Sequence, residues 1–104
     1  MKNRLKRAAS RTEILEAISD AKSLELLSLI AKGQGSKTKD LIAQVKISRR
    51  EYYGRMSKFL NTDLIVRRDG KWHLSKFGLV IYGVVILLVE EINVIFHITL
   101  MSTV

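Results

Sequence analysis

Residues 48–60 read Ser-Arg-Arg-Glu-Tyr-Tyr-Gly-Arg-Met-Ser-Lys-Phe-Leu, "SRREYYGRMSKFL". Ser48 followed three residues later by Glu51 is a capping box, which starts a helix by satisfying two orphan backbone N–H groups reciprocally. On the wheel of that helix Tyr52, Met56, Phe59 and Leu60 fall on one side and predict a buried face. Arg50, Gly54, Ser57 and Lys58 lie opposite, with Tyr53 and Arg55 at the border and Arg49 in the first turn. A helix with an apolar back and paired arginines at its N-terminal end is either a solvated surface or a grip on something anionic. The rest of the chain has to separate the two.

Upstream, a second capping box, Ser10 to Glu13, opens a helix carrying Ile14, Leu15 and Ile18 on one face. Asp20 or Ser23 either restarts this helix or continues it into a strongly apolar stretch, Leu24, Leu26, Leu27, Leu29 and Ile30, through about Lys32. "GQGS" at 33–36 breaks the helix. Thr38 is placed to cap a short helix bearing Leu41, Ile42 and Val45, and Lys46-Ile47 makes a brief turn before Ser48. Two capped helices joined by so short a turn form a helix-turn-helix pattern.

Downstream, "NTDLIVRRDGKWHLS" (61–75) centres on Asp69-Gly70, a dipeptide suited to a two-residue hairpin turn. In that register Arg68 faces Lys71, Arg67 faces Trp72 and Ile65 faces Leu74. Ile65 and Leu74 would sit on the core, Arg67 would stack on Trp72, and Arg68 and Lys71 would mark an exposed basic tip. Ser75 then caps a last helix, 76–98, that is apolar on most sides.

Charge is distributed unequally. All 18 Lys and Arg fall within residues 1–76, whereas Glu90 and Glu91 are the only charged residues beyond. A net charge of +8 concentrated in one part of a 104-residue chain predicts a polyanionic partner, nucleic acid or an anionic membrane surface. The chain divides into a basic N-terminal arm (1–10), a basic domain (11–75) and an apolar helix and tail (76–104). The arm lacks the apolar run of a secretory signal, and the expected location is cytoplasmic. There is no cysteine, which excludes disulfides and thiolate metal sites. His73 and His97 have no companion ligands in sequence, so no metal is expected. No phosphate-binding loop, nucleophile elbow or metalloprotease motif is present, and neither an enzyme, a cofactor nor a small-molecule ligand is expected.

The element order, helices, turn, helix, basic hairpin, long helix, is that of a mainly α winged helix-turn-helix with a two-stranded β-hairpin wing. "RTEILEAISDAKSLELL" (11–27), "KTKDLI" (37–42), "SRREYYGRMSKFL" (48–60), "LIVRRDGKWHLSKFG" (64–78) and "VIY" (80–82) together resemble a group of small archaeal winged-helix proteins classed as predicted transcriptional regulators. The likeness spans roughly 11–83. One departure is Asp63, where such proteins usually carry glycine before the "LI" that leaves the recognition helix. The resemblance implies binding to double-stranded DNA and a homodimer.

In a helix-turn-helix the N-terminal part of the second helix enters the major groove. On that basis the expected DNA-binding residues are Ser48, Arg49, Arg50, Tyr53, Gly54 and Lys58, with Arg49 and Arg50 pairing bidentately with guanine. Lys37, Thr38 and Lys39 would reach phosphate from the start of the preceding helix, and Arg68 and Lys71 from the hairpin tip. The C-terminal helix would pair with a second copy through Leu79, Tyr82, Val85, Ile86, Val89, Ile92 and Phe96, with help from helix 11–19. The alternative is a winged-helix protein-interaction module, membrane-associated through that same helix. RNA binding has no positive support, since no stacking-sheet motif is present.

Overall fold

The computed structural model describes residues 8–33 and 37–102. Lys2, Arg4, Lys6 and Arg7 of the basic arm, and most of the expected "GQGS" break, lie outside the described residues. About three quarters of the described chain is helical. The order is α1 (Arg11–Ile18), α2 (Ala21–Gly33), α3 (Thr38–Val45), α4 (Arg49–Asn61), β1 (Ile65–Arg68), β2 (Lys71–Leu74) and α5 (Lys76–Ser102).

Local chemistry sets most boundaries. Ser10 and Ser48 each form a complete capping box: Ser10 Oγ accepts the Glu13 N–H at 3.1 Å, and Ser48 Oγ accepts the Glu51 N–H at 3.1 Å. Asp20 Oδ1 accepts the Ser23 N–H at 2.7 Å, so α2 restarts after a break at Ser19-Asp20. α4 closes in a Schellman motif. The Leu64 N–H reaches Phe59 O at 2.9 Å and the Asp63 N–H reaches Leu60 O at 3.1 Å, with Asp63 left-handed at φ 59°. The departure at Asp63 therefore leaves the helix exit intact: a short polar side chain holds the conformation that glycine would take.

The hairpin has the expected register, Ile65 opposite Leu74, Arg67 opposite Trp72 and Arg68 opposite Lys71. Asp69 and Gly70 have φ of 54° and 74°, as a type I′ turn requires.

The core lies where α1–α4 and the hairpin converge. It contains Ala17, Leu26, Leu27, Ile30, Leu41, Val45, Tyr52, Met56, Phe59, Leu64, Ile65, Trp72 and Leu74. α2 is its centre, touching α1, α3, β2 and the start of α5. Lys22 Nζ donates to Val45 O at 3.0 Å and ties the end of α3 to α2.

Four expectations are corrected. Thr38 does not cap α3: Lys37 holds the N-cap without a side-chain bond, and the Thr38 hydroxyl bonds instead with the Tyr52 hydroxyl at 3.0 Å. Leu60 is exposed, because the core contact of α4 runs through Tyr52, Met56 and Phe59 and ends before it. Leu15 is also exposed; α1 meets the core through Ala17, whose small side chain allows the close approach, with Ile18 packed alongside. Finally, α5 continues beyond residue 98 to Ser102.

Candidate nucleic-acid interface

The basic surface is built on α4. Its back is fixed by Tyr52, Met56 and Phe59, each at most 3% exposed. Burial pushes the Tyr52 phenol pKa up, with the Thr38 hydrogen bond acting the other way. That bond also ties the start of α3 to the first turns of α4, which fixes the angle between the two helices.

With the back anchored, the front is set by helical geometry. Arg49, Arg50, Tyr53, Gly54, Ser57 and Lys58 are all exposed. Tyr53 meets the Tyr52 ring edge-on at 5.1 Å, which restrains its orientation. Outside the adjoining helix backbone, no atom lies within 4 Å of where a Gly54 side chain would begin, so the helix surface there is open to a ligand's close approach. Arg50, Gly54 and Lys58 line a shallow depression that also reaches Asp20 and Arg55.

Two acidic groups border this front. Glu51 is committed to the cap. Its carboxylate accepts the Ser48 N–H at 3.0 Å, which holds its pKa below the ordinary value. Asp20 is committed to Arg55, whose Nη2 lies 3.3 Å from Asp20 Oδ2. Its pKa is lowered too, first by the Ser23 N–H and then by Arg55. Arg55 is thereby withdrawn from the front and braces α4 against the start of α2.

The structure brings most of the expected site residues to the surface and separates others. Lys37 and Lys39 are exposed at the start of α3, whereas Thr38 is half-buried and engaged with Tyr52. Arg68 and Lys71 are exposed beside the hairpin turn. Arg68 also lines a groove with Ile30, Ala31, His73, Leu74 and Leu79, on the side of α2 and α5. Arg67 is the residue that sequence reasoning left out of the site. It lies over the Trp72 ring at 5.2 Å and acts electrostatically on Tyr52, so it is the hairpin arginine on α4's side. The signal for it in sequence is the register that sets Arg67 opposite Trp72.

Along α5, Ile81 and Tyr82 pack on the core, and the Tyr82 hydroxyl donates to Ser28 Oγ at 3.2 Å. Tyr82 is therefore held by its own domain. Val85 is half-exposed, and Leu79, Ile86, Val89, Ile92 and Phe96 are exposed. Among the described residues, no group of three or more His, Asp or Glu is placed to hold a metal ion.

No protein-family model, curated protein or solved structure matches the chain.

Proposed function

We propose that this chain is a winged helix-turn-helix transcriptional regulator that binds double-stranded DNA as a homodimer in the cytoplasm, in keeping with its resemblance to small archaeal regulators. α4 enters the major groove, and the hairpin lies on the backbone or in the minor groove. The observation that carries this reading is the two-sided character of α4. One side is fully buried and hydrogen-bonded to α3, and the other presents Arg49, Arg50, Tyr53, Gly54 and Lys58 together. A helix anchored this way can insert its N-terminal end into a groove without rearranging. Lys37 and Lys39 flank it as phosphate contacts.

The test is duplex affinity as a function of salt for the wild type and for Arg49→Ala/Arg50→Ala. Phosphate contacts give a steep fall of affinity with salt. The double variant should stay folded and lose affinity or sequence preference by roughly tenfold or more, each guanine contact being worth about 1–3 kcal/mol. Equal binding by both proteins, or none by either, would leave α4 as a solvated face and favour a protein-interaction module.

A further inference from the structure

We propose that α5 beyond Tyr82 is seated in a lipid bilayer and tethers the basic domain to the membrane's cytoplasmic face. This goes beyond DNA binding and stands on different residues.

The first observation is length. Gly78, Ile81 and Tyr82 rest against the domain, so the projecting part of α5 begins at Gly83. Residues 83–101 extend for roughly 28 Å at the rise of an α-helix, close to the ~30 Å of a bilayer's hydrocarbon core. Within Lys76–Met101 an 18-residue window reaches a mean hydropathy of 2.3.

The second observation concerns which sides are apolar. A second copy would pair along the stripe of Leu79, Ile86, Val89 and Phe96, whose three-and-four spacing is completed by Tyr82, held by its own domain, and by the polar Asn93. The opposite stripe carries Val84, Leu88, Ile95 and Ile98, between 48% and 60% exposed, with Glu91 as its one charged member. A soluble two-helix pair needs polar residues there. An apolar outer stripe is what lipid covers, and a paired seam inside the bilayer is compatible with it.

The third is charge. No Lys or Arg follows Lys76, while all 18 precede or include it. That asymmetry places the domain on the cytoplasmic side. It also sets a cationic surface next to anionic headgroups.

Glu90 and Glu91 near mid-span oppose insertion. Glu90, Asn93 and His97 fall on one side of the helix, one turn apart, so their polar groups face one another or a second α5 rather than lipid. The many Leu, Ile and Val residues on either side of the two glutamates offset the remainder.

The experiment is flotation on a density gradient. Full-length wild type and Leu88→Lys/Ile95→Lys are each made in the presence of phosphatidylcholine–phosphatidylglycerol vesicles, then washed with high salt and with alkaline carbonate. Wild type should float with the vesicles after both washes. The variant should stay at the bottom of the gradient, with its far-UV spectrum still helical. Release of wild type by salt alone would mean that only the basic domain touches headgroups, and would overturn the proposal. A wild type that remains in solution as a stable dimer, with the variant forming the same dimer, would overturn it in favour of a second copy alone. Neither readout involves DNA, so the DNA-binding reading stands or falls separately.

Discussion

A Cβ on Gly78 would fall inside the van der Waals envelope of the Leu64 carbonyl oxygen, which also accepts the Ser75 N–H at 3.0 Å. α5 leaves the domain at this point. Ser75 Oγ donates to Asp63 O at 2.5 Å and accepts the Gly78 N–H at 2.8 Å, so the α4 exit, the end of β2 and the α5 start form one knot. Gly78 is needed because backbone meets backbone, with no flexible side chain to give way.

Gly78→Ala is therefore expected to destabilise the domain by about 3 kcal/mol, lowering Tm by roughly 10–20 °C. Trp72, the only tryptophan, reports the unfolding. Were the approach loose, alanine would instead stabilise the helix by up to about 1 kcal/mol. The sign of the change decides between the two.

Lys46 sits at the end of α3 with φ 59° and an exposed side chain. A left-handed residue with a Cβ is strained by about 1–2 kcal/mol, and glycine gives back part of that relief as unfolded-state entropy. Lys46→Gly should raise stability by about 0.5–1 kcal/mol. A urea midpoint that moved down would show that the lysine side chain contributes more than its backbone costs.

Asp20 links acid stability to the α2–α4 brace. Its folded-state pKa lies below the ordinary carboxylate value, chiefly through the Ser23 N–H, with Arg55 adding to it. Its contribution is thus complete above the unfolded-state value and is lost as pH falls through the folded-state one. Asp20→Asn should be less stable than wild type at pH 7 by about 0.5 kcal/mol, since the pair is solvent-screened. That gap should narrow as pH falls through the folded-state pKa of Asp20. A gap constant from pH 7 to pH 3 would place the effect in packing rather than in charge.

Parts of this structure were legible in sequence because they are decided locally. Asp69-Gly70 fixed the hairpin register, and Ser10 and Ser48 fixed two helix starts, each within four residues of chain. The misread positions are tertiary. Thr38 looks like a cap until Tyr52, 14 residues away, takes its hydroxyl. Arg55 looks like a border arginine until Asp20, 35 residues away, pairs with it. Leu15 and Leu60 are apolar at the edge of a helical stripe, and only the packing partner decides whether the edge is covered. Gly78 reads as an ordinary helical residue until the Leu64 carbonyl is beside it.

Arg67 and Arg68 are adjacent in β1 and point to opposite faces of the hairpin. Arg67 stacks on Trp72 beside Tyr52, on the α4 side, and Arg68 lines the groove with Ile30 and Leu79. If α4 binds DNA, Arg67 is the better placed to touch the same duplex. Arg67→Ala should weaken duplex binding several-fold, reduce the slope of log affinity against log salt by about 1, and shift Trp72 fluorescence through loss of the cation. Arg68→Ala should leave Trp72 fluorescence unchanged and alter binding less. The reverse ranking in a salt titration of both variants would mean that the duplex approaches from the α2 side, and α4 would lose its place at the centre of the interface.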